Sequence, residues 1–255
     1  MRNLKKKLLS VLLALIFSLS AIVLMSGTVY AVNETEDNNS ESKATAIAVN
    51  TTVNGKLTNY DDDYFSFKVP ENGYVYLSFS HPTTTNTANF ANVSLTGYTN
   101  VVTRCDIGSA STIKIGLTAG TYYVLVDEYD GYDQLGDNAT YSLTVNYTKA
   151  SDWETEHNNS KGEADIISTG KTYYGTLLNY DDDYYSFSIP NDGYVSIDFK
   201  HNTKVNTANF ANVSLVDYSN VVARCDFDSA STIKIGLLAG TYYVLVDEYD
   251  GYDQL

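Results

Sequence analysis

The chain has too few cysteines for a fold held together by disulfides. It contains only two cysteines, Cys105 and Cys225, among 255 residues, so its core must come from the packing of apolar side chains. The two cysteines lie at equivalent places in an internal repeat of 120 residues, one in each copy, which excludes a disulfide within either copy. We predict that both are buried thiols, the usual environment of cysteine.

Positive charge is also scarce. The chain has 16 Lys and Arg against 31 Asp and Glu, a formal net charge of −15. A surface of this sign repels phosphate backbones, which argues against a nucleic-acid partner. It suits cation binding, or a secreted protein kept soluble by its charge.

Recognisable catalytic patterns are absent from the sequence. The three histidines, His81, His157 and His201, have no metal-ligand spacing, and there is no Gly-x-Ser-x-Gly nucleophile motif. Neither cysteine has a histidine in a recognisable catalytic context. We predict that the protein is not an enzyme.

A long apolar run occurs only near the N-terminus. Basic residues at positions 2 and 5–7 precede an uncharged apolar stretch, 8–25, and small and polar residues follow up to Ala31. This order predicts a signal peptide, residues 1–31, cleaved after Ala31. The stretch is also long enough for an uncleaved membrane anchor. Nothing later could span a bilayer, so we expect a secreted, extracellular protein or one associated with the cell surface.

The rest of the chain is two copies of one sequence. "TANFANVSL", "ASTIKIGL" and "AGTYYVLVDEYDGYDQL" begin at positions 87, 110 and 119 and recur at 207, 230 and 239. A repeat this long predicts two tandem domains rather than a solenoid. We place them at residues 32–149 and 150–255, with the boundary in the polar sequence "NYTKASDWETE".

Within each copy, apolar residues alternate with polar ones and are rich in Val, Ile, Thr, Tyr and Phe. This pattern predicts seven or eight short strands, with a short turn at 40–48 as the one helical signal. We therefore predict an all-β fold of two tandem antiparallel β-sandwiches. The second copy stops at Leu255, whereas the first continues with "GDNATYSLTVNY", which contains a strand. We expect the second sandwich to lack its last strand, as in a fragment or a truncated gene model.

Each copy has two acidic elements. "NYDDDYFSF" and "NYDDDYYSF" place three aspartates directly before a strand, and "ETEDNNS" and "ETEHNNS" precede each sandwich. Alternate residues of an extended segment point to one side, so Glu34, Glu36 and Asn38 can converge on one point. An all-oxygen set of this kind is what calcium prefers, whereas zinc prefers sulfur and nitrogen. The alternative is an exposed acidic turn.

These motifs, followed by a "GYV" strand and the "AGTYYVLV" strand, resemble the bacterial pre-peptidase C-terminal domains. That family includes the collagen-binding domains of clostridial collagenases. The resemblance implies a jelly-roll-like sandwich in each copy, with calcium where the glutamate-rich segment docks. The implied metal ligands are Glu34, Glu36, Asn38, Asp61 and Asp63 in the first copy and Glu154, Glu156, Asn158, Asp181 and Asp183 in the second. Three consecutive aspartates leave open which of Asp61, Asp62 and Asp63 bind.

Tyrosine is abundant, with 23 residues. Adjacent tyrosines in "TYYVLV" must face opposite ways, so one of each pair points outward. We predict ligand contacts from Tyr122, Tyr123, Tyr242 and Tyr243, although β-sheets favour tyrosine in any case. The late "DEYDGYDQL" lacks the full calcium-loop pattern and predicts an acidic hairpin loop.

Together these features predict a secreted, non-catalytic, calcium-stabilised binding module. Its partner would be an extracellular polymer or surface, either a protein such as collagen or a polysaccharide. The alternatives are an accessory-domain fragment of a secreted peptidase and an adhesin or stalk spacer. The sequence names neither the polymer nor the oligomeric state.

Overall fold

The structure is a computed structural model that describes residues 31–58, 61–82, 91–96, 101–107, 114–128, 139–178, 181–201, 211–217, 221–227 and 231–248. Its regular structure is almost entirely β, as predicted, and the predicted turn at 40–48 contains the 3-10 helix Glu41–Lys43. The described part of the chain has no helix that is both long and apolar enough to cross a membrane. The predicted signal peptide before Ala31 and the acidic loops after Glu128 and Glu248 lie outside the described residues.

The first repeat is a sandwich of two five-stranded sheets. Its strands are β1 (Val32–Asn33), β2 (Thr45–Ala46), β3 (Thr52–Leu57), β4 (Asp62–Val69), β5 (Gly73–Ser80), β6 (Ala91–Thr96), β7 (Val101–Ile107), β8 (Lys114–Leu117), β9 (Gly120–Glu128) and β10 (Ala139–Lys149). One sheet has the order β1-β3-β10-β5-β8 and the other β2-β4-β9-β6-β7. The short strands β1 and β2 pair in parallel with β3 and β4. All other pairings in the two sheets are antiparallel.

The core of the first repeat follows from strand alternation. In β4, Phe65, Phe67 and Val69 point inward and are at most 2 % exposed, while the residues between them face outward. Strand β10 lies in the middle of its sheet and adds four buried side chains, those of Ala139, Tyr141, Leu143 and Val145. This strand is therefore central to both the hydrogen-bonded ladder and the packing of the first sandwich.

The second repeat reproduces one sheet and part of the other. Its strands are β11 (Asp165–Ile166), β12 (Asp182–Ile189), β13 (Gly193–Phe199), β14 (Ala211–Val216), β15 (Val221–Phe227), β16 (Ser231–Leu237) and β17 (Gly240–Glu248). The sheet β11-β12-β17-β14-β15 matches the β2 sheet of the first repeat, but the opposite sheet is only the pair β13-β16. No strand among the described residues corresponds to β10, whose counterpart in the alignment of the two copies would lie beyond Leu255. Residues 172–177, the counterpart of β3, form one bridge, from Tyr174 to Trp153.

This difference predicts unequal costs for one substitution made in both repeats. Phe79 is 1 % exposed and stacks on Tyr141 of β10 at 5.1 Å, whereas Phe199, its counterpart, is only half-buried. We expect Phe79→Ala to lower the free energy of unfolding of its repeat by about 3–5 kcal/mol, and Phe199→Ala to cost clearly less. Urea unfolding, followed by amide signals assigned to each repeat, measures both. Equal costs would contradict the difference in packing.

Candidate metal centre

The acidic segment of the first repeat, residues 34–40, lies against the start of β4 and brings three carboxylates together. Glu34, Glu36 and Asp63 each offer an oxygen, and these three oxygens lie within 4.8 Å of one another. Asn38 is fully buried, and one atom of its amide lies 3.1 Å from Glu36 Oε2 and 3.2 Å from Asp63 Oδ1. We call these four residues the first cage. The alternating side chains of the segment therefore converge, as the sequence predicts.

The second repeat has an equivalent second cage, formed by Glu154, Glu156, Asn158 and Asp183. Its three carboxylates also offer oxygens within 4.8 Å of one another. It is more deeply buried than the first cage. Glu154 is 1 % exposed and Asp183 3 %, whereas Glu34 is half-buried and Glu36 is exposed.

Backbone hydrogen bonds hold each acidic segment against its sandwich. The Tyr64 N–H donates to the Asn38 carbonyl at 3.1 Å, and the Lys56 N–H donates to Glu34 Oε1 at 2.6 Å. The segment is thus tied to β4 in one sheet and to β3 in the other. The second repeat repeats the pattern, with Tyr184 donating to the Asn158 carbonyl and Thr176 to the Glu154 carboxylate.

Two buried oxygens in the second cage are available to a cation. Asn158 Oδ1 and Asp183 Oδ1 have no hydrogen-bond partner among the described residues. A buried oxygen left without a partner costs free energy, so such groups in native proteins usually meet a donor, water or ion. A cation is a partner that both oxygens and the neighbouring carboxylates can share.

In the first cage, the Asn38 side-chain amide can take two orientations. If its amide nitrogen faces Glu36 and Asp63, it donates a hydrogen bond to each carboxylate. If its oxygen faces them, three oxygens surround one point, and a proton on one carboxyl, a water molecule or a cation would relieve their repulsion. A donor set of carboxylates and an amide oxygen fits a hard divalent cation such as calcium.

Burial makes the charges of both cages costly. Desolvation raises the pKa of Asp63 to about 8 and the pKa of Asp183 to about 11, and neighbouring carboxylates add to both shifts. Desolvation likewise raises the pKa of Glu156 to about 9 and that of Glu154 to about 7. The raised values have a common cause, which is that several negative charges share a site poorly reached by water. A bound cation would relieve that repulsion.

Strand alternation separates the three consecutive aspartates. Asp63 and Asp183 lie in the cages, while Asp62 and Asp182 are exposed on the opposite side of the strand. Asp61 and Asp181 are buried beside the cages, at 7 % and 6 % exposure, but neither belongs to a group of three converging carboxylates.

The two buried flanking aspartates are held by local hydrogen bonds. Asp61 Oδ2 accepts hydrogen bonds from Thr58 N at 3.1 Å and Thr58 Oγ1 at 3.2 Å. Asp181 Oδ1 accepts one from Asn159 Nδ2 at 3.0 Å. Their charges nevertheless reach the cages, since Asp61 contributes to the raised pKa of Glu36, for which burial is the main cause.

Two tyrosines that the sequence analysis did not single out also reach the cages. The Tyr141 hydroxyl, on β10, donates to Asp63 Oδ2 at 2.5 Å, and its oxygen lies 3.3 Å from Glu34 Oε2. In the second repeat, Tyr185 of β12 donates to Glu154. Tyr185 aligns with Phe65 of the first repeat. The alignment of the two copies therefore shows that the residue differs, but not that the Tyr185 hydroxyl contacts Glu154.

A further carboxylate, that of Asp165, lies beside the second cage, where the first repeat has Thr45. Asp165 Oδ2 accepts a hydrogen bond from Thr155 N at 2.7 Å, and Asn158 Nδ2 lies 3.5 Å from the same oxygen. Its charge adds to the raised pKa of Glu154, for which burial is the main cause. The second cage is therefore both drier and more negative than the first.

The acidic segment of the second repeat, residues 154–160, also contacts the first sandwich. The Glu156 N–H donates to the Gly116 carbonyl at 2.9 Å, and Leu117 forms a parallel bridge with Glu156. Gly116 lies on β8, at the edge of its sheet. The second cage is thus built partly on the first repeat.

An aromatic cluster closes this junction. Trp153 packs against Tyr74 of β5 at 4.6 Å and stacks with Tyr174 at 5.9 Å, measured between ring centroids. Lys114 Nζ lies 5.1 Å from the Tyr74 ring centroid and 5.7 Å from that of Trp153. These contacts fix the segment immediately before the second cage.

The four tyrosines predicted to contact a ligand do not share one environment. Tyr122 is 9 % exposed and stacks on Phe67 at 5.9 Å, and Tyr242 is half-buried against Phe187 at 6.1 Å. Tyr123 and Tyr243 are half-buried on the opposite faces of β9 and β17. Ligand binding by the four stays a prediction, and Tyr123 and Tyr243 are the pair that faces away from the core.

The side chains of Cys105 and Cys225 lie outside the described residues, although the backbones of both belong to strands, β7 and β15. Their predicted burial therefore stays a prediction.

The sequence of this chain is similar to that of Collagenase ColA from Clostridium perfringens (strain 13 / Type A). The two are 29 % identical over 247 residues, which cover 87 % of this chain and 21 % of the collagenase. The chain is related to a clostridial collagenase. This relationship confirms the predicted resemblance, and the chain spans about a fifth of the length of that relative.

Comparison with solved structures finds partial likenesses. The pre-peptidase C-terminal domain of a collagenase from Bacillus anthracis is 24 % identical, with a TM-score of 0.33, and the match covers 40 % of this chain and 93 % of that domain. The CUB1-EGF-CUB2 domains of rat MASP-1 are 10 % identical, with a TM-score of 0.28, and the match covers 82 % of this chain and 96 % of that one. No family model matches the chain.

Proposed function

We propose that this protein is a secreted, non-catalytic pair of calcium-stabilised modules that bind an extracellular polymer or surface. The observation that carries the proposal is the cage of three carboxylates and a buried asparagine. It occurs once per repeat, at the point where an acidic segment docks on a sandwich. The relationship to a clostridial collagenase supports a binding module of the collagenase accessory type.

Calcium would act as a structural ion in this proposal. Glu34, Glu36, Asn38 and Asp63 would hold it in the first repeat, with Asp61, which is buried beside them, as a further candidate ligand. Glu154, Glu156, Asn158 and Asp183 would hold it in the second repeat, with Asp181 in the corresponding place. The ion would neutralise part of the charge and fix the acidic segment, since only the folded state assembles the ligands.

A role as an accessory domain of a secreted peptidase is the second candidate. It is favoured by the match to a collagenase, because the matched segment makes up only 21 % of that longer protein. A stalk or adhesin spacer would use the same calcium-stabilised repeats without a ligand. The three roles differ in whether the isolated pair of repeats binds a polymer.

A binding experiment distinguishes these roles. Residues 32–255 are incubated with collagen fibrils, peptidoglycan and an insoluble polysaccharide, in millimolar calcium and in chelator, and the bound fraction is measured after sedimentation. We expect retention on one polymer in calcium and reduced retention in chelator. Replacing both Tyr123 and Tyr243 with Ala tests the outward tyrosines on that polymer. If none of the polymers retains the protein in calcium, the binding proposal fails and the spacer role gains support.

A further inference from the structure

The asparagine of the first cage has hydrogen-bond partners that favour one orientation of its amide. The end of the Asn38 amide that faces the carboxylates has only acceptors around it, and the other end has only donors. Its nitrogen is therefore satisfied when it faces the cage, where it donates to Glu36 Oε2 at 3.1 Å and to Asp63 Oδ1 at 3.2 Å. In that orientation the amide N–H groups compete with a cation for the same two carboxylates.

The asparagine of the second cage has an acceptor outside the cage. Asn158 Nδ2 lies 3.5 Å from Asp165 Oδ2. The other end of the amide, Asn158 Oδ1, is buried and has no hydrogen-bond partner among the described residues, and the same is true of Asp183 Oδ1. Asn158 is fully buried, so this unpaired oxygen is also out of reach of bulk water.

The difference between the repeats comes from one position, at which Asp165 aligns with Thr45. Thr155 donates its N–H to Asp165 Oδ2 at 2.7 Å and its hydroxyl to Asp165 Oδ1 at 2.8 Å. Its counterpart Thr35 donates its N–H to Thr45 Oγ1 at 3.2 Å, and the Thr45 hydroxyl donates to the Thr35 carbonyl at 3.3 Å. A carboxylate oxygen can accept two hydrogen bonds, so Asp165 Oδ2 has room for Asn158 as well as Thr155.

We propose that Asp165 is a positioning residue, which holds the Asn158 amide with its oxygen toward the carboxylates and so pre-organises the second cage for a cation. In the first cage, the Asn38 amide must rotate and give up two hydrogen bonds before its oxygen can bind the ion. The second cage therefore binds calcium at lower concentration than the first, and the two repeats respond to calcium in sequence. This inference rests on the calcium role proposed above.

The negative charge of Asp165 also favours a cation, so the variants must separate charge from orientation. Asp165→Asn removes the charge and keeps the network. Its amide oxygen, in the place of Oδ2, still accepts from Thr155 and Asn158, and its nitrogen, in the place of Oδ1, donates to the Thr155 hydroxyl. Asp165→Thr installs the residue type of the first repeat and removes the acceptor. Thr45→Asp makes the reverse change in the first repeat.

Calcium titrations of the protein measure the affinity of each cage, with Asp63→Asn or Asp183→Asn present to inactivate the other one. Loss of a group that orients a metal ligand typically lowers metal affinity about 10- to 100-fold. We expect the second cage to bind calcium at least about tenfold more tightly than the first, and Asp165→Thr to remove most of that difference. Asp165→Asn should stay within about threefold of the native affinity, and Thr45→Asp should tighten the first cage about tenfold.

Nuclear magnetic resonance of the side-chain amides measures the orientation itself. When calcium is added to the native protein, the Asn38 amide signals should move strongly, because the nitrogen leaves the two carboxylates. The Asn158 signals should move much less, because the nitrogen keeps Asp165 as its partner. In chelator, Asp165→Thr should shift the Asn158 signals toward the positions of the Asn38 signals, a change that requires no metal.

Two results would overturn this inference and leave the proposed function in place. One is equal calcium affinity of the two native cages. The other is an equal loss of affinity in Asp165→Asn and Asp165→Thr, which would assign the effect to charge alone. Absence of calcium binding at both cages would overturn the proposed function as well. If Asp165→Thr does not fold, Thr45→Asp decides, and an unchanged affinity of the first cage would then contradict the inference.

Discussion

We expect Asp183→Asn to abolish the calcium response that we propose for the second repeat, and Asp182→Asn, one position away, to leave it intact. Asp183 is 3 % exposed and contributes a converging oxygen to the second cage, whereas Asp182 is exposed. Both changes replace one carboxylate with an amide, so only the position in the site differs. In chelator, Asp183→Asn is expected to equal or exceed the native protein in stability, because it removes a buried acidic group that other carboxylates repel.

The size of the effect follows from ligand linkage. Extracellular calcium modules bind with dissociation constants of about 0.1–1 mM, so about 10 mM calcium should stabilise each intact site by about 1.4–2.7 kcal/mol. For a domain of this size that corresponds to a rise in melting temperature of roughly 5–10 °C. Calorimetry of the native protein, D182N and D183N, each in calcium and in chelator, measures this rise in melting temperature. The pair Asp63→Asn and Asp62→Asn repeats the comparison in the first repeat. If calcium raises the melting temperature of D183N as much as that of the native protein, Asp183 is not a metal ligand.

We expect Gly116→Val to disrupt the junction between the repeats and the matched change Gly236→Val to leave it intact. A Cβ on Gly116 would overlap the Glu154 carbonyl oxygen and crowd the Trp153 ring. At Gly236, the same position in the second repeat, the nearest atom to such a Cβ is Gly193 O at 3.8 Å. The crowded site must shift, which we expect to cost about 1–3 kcal/mol, whereas the open site tolerates the side chain.

The two glycine variants also separate junction from strand effects. Because Glu156 donates its N–H to the Gly116 carbonyl, displacement there should pull the second cage out of shape and weaken its calcium affinity. The calcium affinity of the first cage should be unchanged in both variants. Calcium titrations by calorimetry, alongside thermal melting, give the affinities. Equal losses in Gly116→Val and Gly236→Val would show that glycine is needed for the strand itself rather than for the junction.

The sequence predicts the fold class and the main members of the cages because those depend on local periodicity. Glu34, Glu36 and Asn38 alternate along an extended segment, and alternation alone brings them to one side. The same rule separates Asp62 from Asp63, which the triplet of identical residues left open. Because the two copies align at a shift of 120 residues, the cage members predicted in the first copy also predict those in the second.

Features that depend on contacts between distant elements were not predictable in this way. Tyr141 reaches Asp63 from a strand 78 positions later in the chain, and no local pattern marks it. Asp165 looks like an ordinary exchange for Thr45 until the fold brings it beside Asn158. Tyr122 could face either way from sequence alone, and its position depends on which face of β9 covers Phe67.

The short connection between the repeats has a consequence for avidity. Only residues 150–152 separate β10 from Trp153, which is held against Tyr74 and Tyr174. Two similar modules joined by so short a connection present their equivalent faces at a fixed distance from each other. On a polymer whose binding sites recur at that spacing, the second contact would form at high effective concentration, and on a polymer with another period it would not form at all. The junction would then select among polymers by their period as well as by their chemistry.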